Sequence, residues 1–515
     1  MKRFATFCLT LILGLGFVIA AGCLPRQLVV WSPDGARAVV MDSNSTSLCD
    51  GDGKLARLDI GTVQAAAWTA DSKHVLLAVQ KSAAKWADLA AVLDEPTRQA
   101  AIAAADDFEK AILATPAGEE LTDKGTQDIA KKVFEGRNSL APAATVYLRD
   151  NRPEALRKRL GDKWKDLEEK MSVAYTQLGL YDLDGMSLKP GLVISNSLKG
   201  INELRLAPAG KAVAYVTGSD RTTNSFTLWL APMTANAAPR ELADKVAIFP
   251  DFSADGQHVA YIQSDKPLKG ASAPLGTLAW RQVADANGAI LAELPDAEDL
   301  AALVFDNTSA VRCLDDGRII FASGDANLPA ALAEMPKTKS LFIFNPGVPA
   351  TVTIFNPGGR AKVARVVPGK GENQLPEDLL FDLSPDQKQV SIAGGDGKVA
   401  VVSLADGQIT WVLNEEVEEN KLQMLPSWRR AGELCFIIPA VKGAAAGRSE
   451  VALWSAGKTT VISKAWPDAV LENLTFAPSQ KPPATAPATG PATAPATATA
   501  PSTGPATASA PAPAK

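Results

Sequence analysis

The chain has 515 residues, a formal net charge of −5, 38 glycines, 35 prolines and only two histidines. A mildly acidic chain without a basic block argues against nucleic acid as its main partner, and two histidines exclude a histidine-rich metal site. Few aromatics with many glycines and prolines suit numerous short strands joined by turns.

The N-terminus reads first as an address. Met1-Lys-Arg is positive, Phe4 to Ala20 is apolar, and Ala20-Ala-Gly-Cys23 are small residues ending in cysteine. This is the layout of a secretory signal over 1–22, too short and wrongly flanked for a membrane span. The closing Ala-Ala-Gly-Cys resembles the bacterial lipobox, with Ala20 where leucine is commoner. The resemblance implies cleavage before Cys23, lipidation of that residue, and loss of Cys8 with the signal. With Leu24 rather than Asp following, it also implies a lipid anchor in the bacterial cell envelope, at the outer membrane facing the periplasm. Leu24 to Gln27, roughly 14 Å of extended chain, are all that separate Cys23 from the first strand, which puts the folded body close to the bilayer.

From there a single unit recurs. A large apolar residue enters a short turn and leaves as a β-run: Trp31-Ser-Pro-Asp-Gly into Ala36-Arg-Ala-Val-Val, Phe252-Ser-Ala-Asp-Gly into Gln257-His-Val-Ala-Tyr-Ile, Leu383-Ser-Pro-Asp-Gln into Lys388-Gln-Val-Ser-Ile. The register repeats at Trp68, Leu206, Cys313 and Trp428 and begins again at Phe476. Asp-Gly and similar pairs supply the positive φ of tight hairpins. A unit of this size cannot bury its own apolar face, so neighbours must stack on it. The predicted fold class is therefore all-β, a β-propeller of about seven blades, with six or eight as alternatives. It occupies 23–80 and 175–479.

Blade two is interrupted. Over 81–174 helical spacing replaces alternation: Trp86, Leu89 and Leu93, then Leu156, Leu160, Trp164, Leu167 and Met171. Three or four helices are expected in this α-helical insertion, with Pro153 in a first turn. An insertion this long is more often functional than idle. The last segment, 480–515, is almost wholly Pro, Ala, Thr, Ser and Gly; its composition predicts a disordered C-terminal tail.

The Ser-Pro-Asp-Gly units at 31–41, 252–262 and 383–392, with degenerate copies at 206–215, 313–321 and 428–438, resemble the TolB-type (WD40-like, PD40) β-propeller repeat. The resemblance implies a propeller and specifies little about function. TolB carries an extra N-terminal domain with no counterpart here, and none of its binding residues maps onto this chain.

His74 and His258 fill equivalent slots two positions after the turn. Arg37, Ala212, Ile319, Gln389 and Leu434 fill that slot elsewhere, so it is a surface or edge position. Cys313 stands where Trp31, Trp68, Phe252 and Trp428 stand, and Cys435 lies in the apolar strand Leu434 to Ile438; both read as buried core thiols. Cys49 is placed in a loop of the first unit. The first and seventh units of a closed ring are neighbours, so a Cys49–Cys435 bridge stays open, and spacing does not decide it. Ala452-Leu-Trp-Ser-Ala-Gly-Lys-Thr459 imitates a phosphate loop but runs into a strand instead of a helix. Asp50-Gly-Asp-Gly lacks the closing glutamate of a calcium loop. No Gly-x-Ser-x-Gly elbow is present.

These readings predict no catalytic, cofactor-binding or metal residues, no cofactor, and Cys23 as the lipidation site. The expected function is a membrane-anchored envelope lipoprotein whose propeller is a non-enzymatic, monomeric platform for envelope proteins, without nucleic acid. The alternative is a propeller hydrolase or lyase acting on envelope polysaccharide, with carboxylates in the central funnel.

Overall fold

The computed structural model describes residues 27–474, apart from position 43 and the stretches 116–122, 153, 155–156, 159–171, 219–225, 265–274, 324–339, 346–350, 355–379, 394–397, 415–424 and 439–448. The signal segment, Cys23, the start at Phe476, the tail and the apolar series from Leu156 to Met171 lie outside the described residues.

All described strands pair antiparallel in up-and-down order, in six sheets. Sheet A comprises Val29–Trp31, Arg37–Met41, Thr46–Asp50 and Leu55–Leu58. Sheet B comprises Val63–Trp68, His74–Ala83, Val173–Asp184 and Ser187–Ser197. Sheet C spans 201–304, sheet D 311–354, sheet E 380–413 and sheet F 427–461. The strand interiors are buried in unbroken runs: Val75 to Val79, Ala212 to Thr217 and Val259 to Ile262 show no exposed face. A strand buried on both sides needs a neighbour on each face of its sheet, and the apolar clusters supply them. A packs on B, B on C, C on D, C and D on E, E on F, and F returns to A. The fold is an all-β propeller.

The sheet count departs from about seven separate blades. Five sheets are free-standing four-stranded units. Sheet C carries eight strands, because its runs 201–246 and 251–304 are stitched together by one pairing, Val246 with Gln263. Cys49 is likewise corrected: it lies inside the strand Thr46–Asp50, opposite Ala38 and Leu55, not in a loop.

The repeated turn has one chemistry. Ser32 Oγ donates to Asp34 at 2.6 Å, Thr69 Oγ1 to Asp71 at 2.6 Å, Ser253 Oγ to Asp255 at 2.5 Å and Ser384 Oγ to Asp386 at 2.7 Å. Each hydroxyl accepts the N–H five residues on, from Arg37, His74, His258 and Gln389. The aspartate accepts the N–H two residues beyond itself. The motif closes its own turn through local hydrogen bonds. Gln387 occupies the glycine slot at φ +56 and exchanges two hydrogen bonds of 2.8 Å with Asp315 of sheet D. A contact between blades thus accompanies the strained backbone.

Among the described residues between Ala83 and Val173 of sheet B are four α-helices: α1 Trp86–Val92, α2 Glu95–Leu113, α3 Asp123–Val133 and α4 Ala141–Asn151. Asp94 caps α2 by accepting from Thr97 N at 2.8 Å. The small residues Ala104, Ala105 and Ala144 let α2 and α4 approach, and Phe108, Ile112, Phe134 and Leu148 fill the space beside them. A final helix, α5 (Asp468–Asn473), adds Val470 and Leu471 to the seam between sheets F and A. Among the described residues no helix is long and apolar enough to cross a membrane.

Gly35 has φ +68, and a Cβ there would lie 2.9 Å from the Arg429 carbonyl, whereas Gly317, at φ +86, has open space. Gly35→Ala should cost on the order of 3 kcal/mol and Gly317→Ala only about 1 kcal/mol. Denaturant unfolding of the two variants checks the difference, and equal losses would contradict the close approach of sheets F and A.

Candidate functional site: a belt of alternating charge on the inner strands

One slot of the repeat carries a buried or half-buried charge in four of the runs. It is the position just before the large apolar residue of the motif, on the first strand of each run. Val30, Ala67 and Ser427 hold it in sheets A, B and F. Between them come Arg205, Asp251, Arg312 and Asp382, alternating in sign along the chain. Glu203 joins them from the strand that carries Arg205.

Each charge is answered within the wall. Arg312 Nε donates to Asp382 Oδ1 at 2.7 Å, and its Nη1 donates to the Val311 carbonyl at 2.8 Å. The Arg312 side chain is only 4% exposed, so this ion pair is mostly withdrawn from water. Arg205 Nη2 stands 3.1 Å from Glu203 Oε1. Asp251 Oδ2 accepts the Cys313 amide at 2.9 Å and feels both Arg205 and Arg312. Two guanidinium nitrogens, Arg205 Nε and Arg312 Nη2, are buried without a hydrogen-bond partner. Burial pushes the Asp251 and Glu203 carboxyls above the usual carboxylate range, and the facing arginines only partly oppose it.

Three carboxylates interleaved with two arginines make the belt mixed in sign.

The residues singled out in the sequence lie elsewhere. His74 sits at a rim of sheet B between Asp71 at 3.5 Å and Asp182 at 3.3 Å. His258 stacks on Trp280 in sheet C, ring centroids 4.8 Å apart, and burial lowers its pKa. The two histidines belong to different sheets and are not brought together. Asp50 spends its carboxylate on the amides of Asp52 and Lys54, so Asp50-Gly-Asp-Gly is a self-bonded turn. The segment imitating a phosphate loop is a hairpin, turning at Ala456 and Gly457 with φ +50 and +78 between paired Ser455 and Lys458. Cys313 and Cys435 are buried thiols. The slot two positions after the turn carries no trace of the belt. The alternation was visible one residue before the apolar position.

A groove of about 560 Å³ opens at the edge of sheet C between Met233 and Ile290. Its cations are already used: Lys211 donates to the Asn287 carbonyl at 2.6 Å and Arg240 to that of Ala292 at 2.7 Å.

No protein-family model matches the chain, and no curated protein matches it in sequence. Among solved structures it is similar to the β-propeller domain of Cps50 (Swd1) from Myceliophteria thermophila, at 10% identity and TM-score 0.41, covering 83% of this chain and 96% of that one. It is similar to a TolB-assigned protein of Agrobacterium tumefaciens, at 14% identity and TM-score 0.30, covering 52% of this chain and 83% of that one. It is also similar to an acylaminoacyl peptidase of Pyrococcus horikoshii, at 12% identity and TM-score 0.33, covering 56% of this chain and 41% of that one. The neighbours thus include both peptidases and other propellers.

Replacing Arg312 by Met leaves Asp382 half-buried without its partner and should cost roughly 3–5 kcal/mol, most of it recovered when Asp382→Leu is added; additive losses in unfolding would contradict the pair. Asp251 and Glu203 bind protons more tightly folded than unfolded. Their contribution to stability is therefore fully present at low pH and is lost as pH rises from about 4 through their raised values. Asp251→Asn should flatten the fall of the unfolding midpoint over that window. An unchanged pH slope would show that Asp251 is not the group responsible.

Proposed function

We propose that this chain is a cell-envelope lipoprotein, tethered through a lipid on Cys23, whose propeller is a non-enzymatic platform for envelope proteins. Counting the two runs of sheet C separately, the platform is a ring of seven units, with the helices between Ala83 and Val173 as its projecting docking element.

The observation that supports this reading is how the helices are fastened. Leu89, Leu93, Ala143 and Val146 pack against Ala83, Val173 and Leu198 in one buried seam. Trp86 N donates to Asp150 at 2.6 Å, Arg149 donates to the Ala84 carbonyl, and Asn196 Nδ2 donates to the Val92 carbonyl at 2.9 Å. A surface braced internally by the first bond and tied to the sheet-B chain by the other two is pre-organised and loses little entropy on binding. The belt adds weight, since its carboxylates are committed to arginines and an amide.

The polysaccharide hydrolase or lyase reading draws on one observation, the raised carboxyls of Glu203 and Asp251, which is how a general acid is tuned. The arginines beside both weaken it.

Ala83 and Val173 are direct partners across their strands, so a two-residue Asn-Gly turn can replace 84–172. The shortened chain should fold with an unfolding midpoint near that of the full chain and lose its specific crosslinks to an envelope protein. Retention of the same crosslinks would overturn the helices as the docking element.

A further inference from the structure

Among the described residues the ring closes without strand exchange. Every strand of sheet A comes from 29–58 and every strand of sheet F from 427–461. Among the described residues, face-to-face contact joins the two ends. Gln27 Nε2 donates to the Pro426 carbonyl at 3.2 Å, Arg429 Nε to the Gly35 carbonyl at 3.0 Å, and Trp466 Nε1 to the Gly53 carbonyl at 2.7 Å. The Arg429 guanidinium lies over Trp31, 5.0 Å from the ring centre, and its Nη2 would lie 2.8 Å from a Cβ built on Gly51.

Two cysteines sit at this junction, one on each side. Cys49 is on the third strand of sheet A and Cys435 on the second strand of sheet F, paired with Ser427, two residues from Arg429. Both are free thiols, fully buried, in the same apolar cluster as Val29, Trp31, Val451 and Trp466. Burial pushes each thiol up to about 12, the Cys435 sulfur adds to the rise at Cys49, and Arg429 opposes it at both. The third buried cysteine, Cys313, lies in sheet D, away from this seam.

We infer that Cys49 and Cys435 are the site of a disulfide that fastens the first and last sheets of the ring. Two S–H bonds break and one S–S bond forms. The two electrons and two protons pass to a small-molecule disulfide, such as oxidised glutathione, which leaves as two thiols. Buried thiols this weakly acidic are poor nucleophiles in the folded chain, so the bond forms while the ends assemble. Once formed, it closes nearly the whole ring as one covalent loop, where a cross-link constrains the unfolded chain most.

The test is to refold the full chain, denatured and reduced, in a buffer of oxidised and reduced glutathione, then alkylate, digest and map it by mass. A peptide pair joined through Cys49 and Cys435 is expected, absent after reduction and retained in Cys313→Ser. The oxidised chain should unfold on the order of 5 °C above the reduced one. The reduced folded chain, given the same buffer without unfolding, should form the bond many times more slowly. Alkylation of both Cys49 and Cys435 after oxidative refolding, or their linkage to other cysteines, would overturn the assignment.

Discussion

Everything in this fold depends on one constraint: its sheets are apolar on both faces. A strand such as Ala212–Thr217, buried at all six positions, cannot end a stack. A sheet with two buried faces needs two neighbours, and a row of such sheets has no exposed end only if it closes on itself. The repeat therefore dictates a ring, and the ring places its first strands together on the inside. The positions next to the apolar motif residues are drawn together there. Any charge in that slot must be matched by its neighbours, because burying an unpaired ion costs several kcal/mol. Arg205, Asp251, Arg312 and Asp382 meet that demand by alternating.

The belt and the helices divide the molecule's labour. The inner wall spends its polar chemistry on itself, as the Arg312–Asp382 pair shows. The helices, in contrast, are joined to sheet B through a compact seam and turn exposed residues such as Ala103 and Asp107 outward. The wall holds the ring's interior, and under the proposed function the helices are the docking surface.

Much of this was legible in the residues. The Ser/Thr-x-Asp turns announce themselves because their hydrogen bonds are local: Ser253, Asp255 and His258 need no tertiary partner to define the turn. Trp86, Leu89 and Leu93 showed a helix because an apolar stripe at that spacing must face a core. What escaped depends on neighbours distant in sequence. The merging of two runs into sheet C rests on a single pairing, Val246 with Gln263, which no local pattern encodes. Cys49 was placed in a loop because the Asp-Gly-Asp-Gly turn beside it dominates the local signal, yet it occupies a strand interior. The charged slot needed comparison of the residue before the motif, where four alternating charges replace the Val, Ala and Ser found elsewhere.

The platform reading is tested most directly by photo-crosslinking in intact cells. A photoreactive residue is placed at Ala103 or Asp107 on α2 and, for comparison, at Lys458 on sheet F, all exposed positions. One defined envelope protein captured from the α2 positions and absent from Lys458 is the expected result. No protein captured from α2, together with turnover of an envelope polysaccharide that Asp251→Asn abolishes, would contradict a non-enzymatic platform.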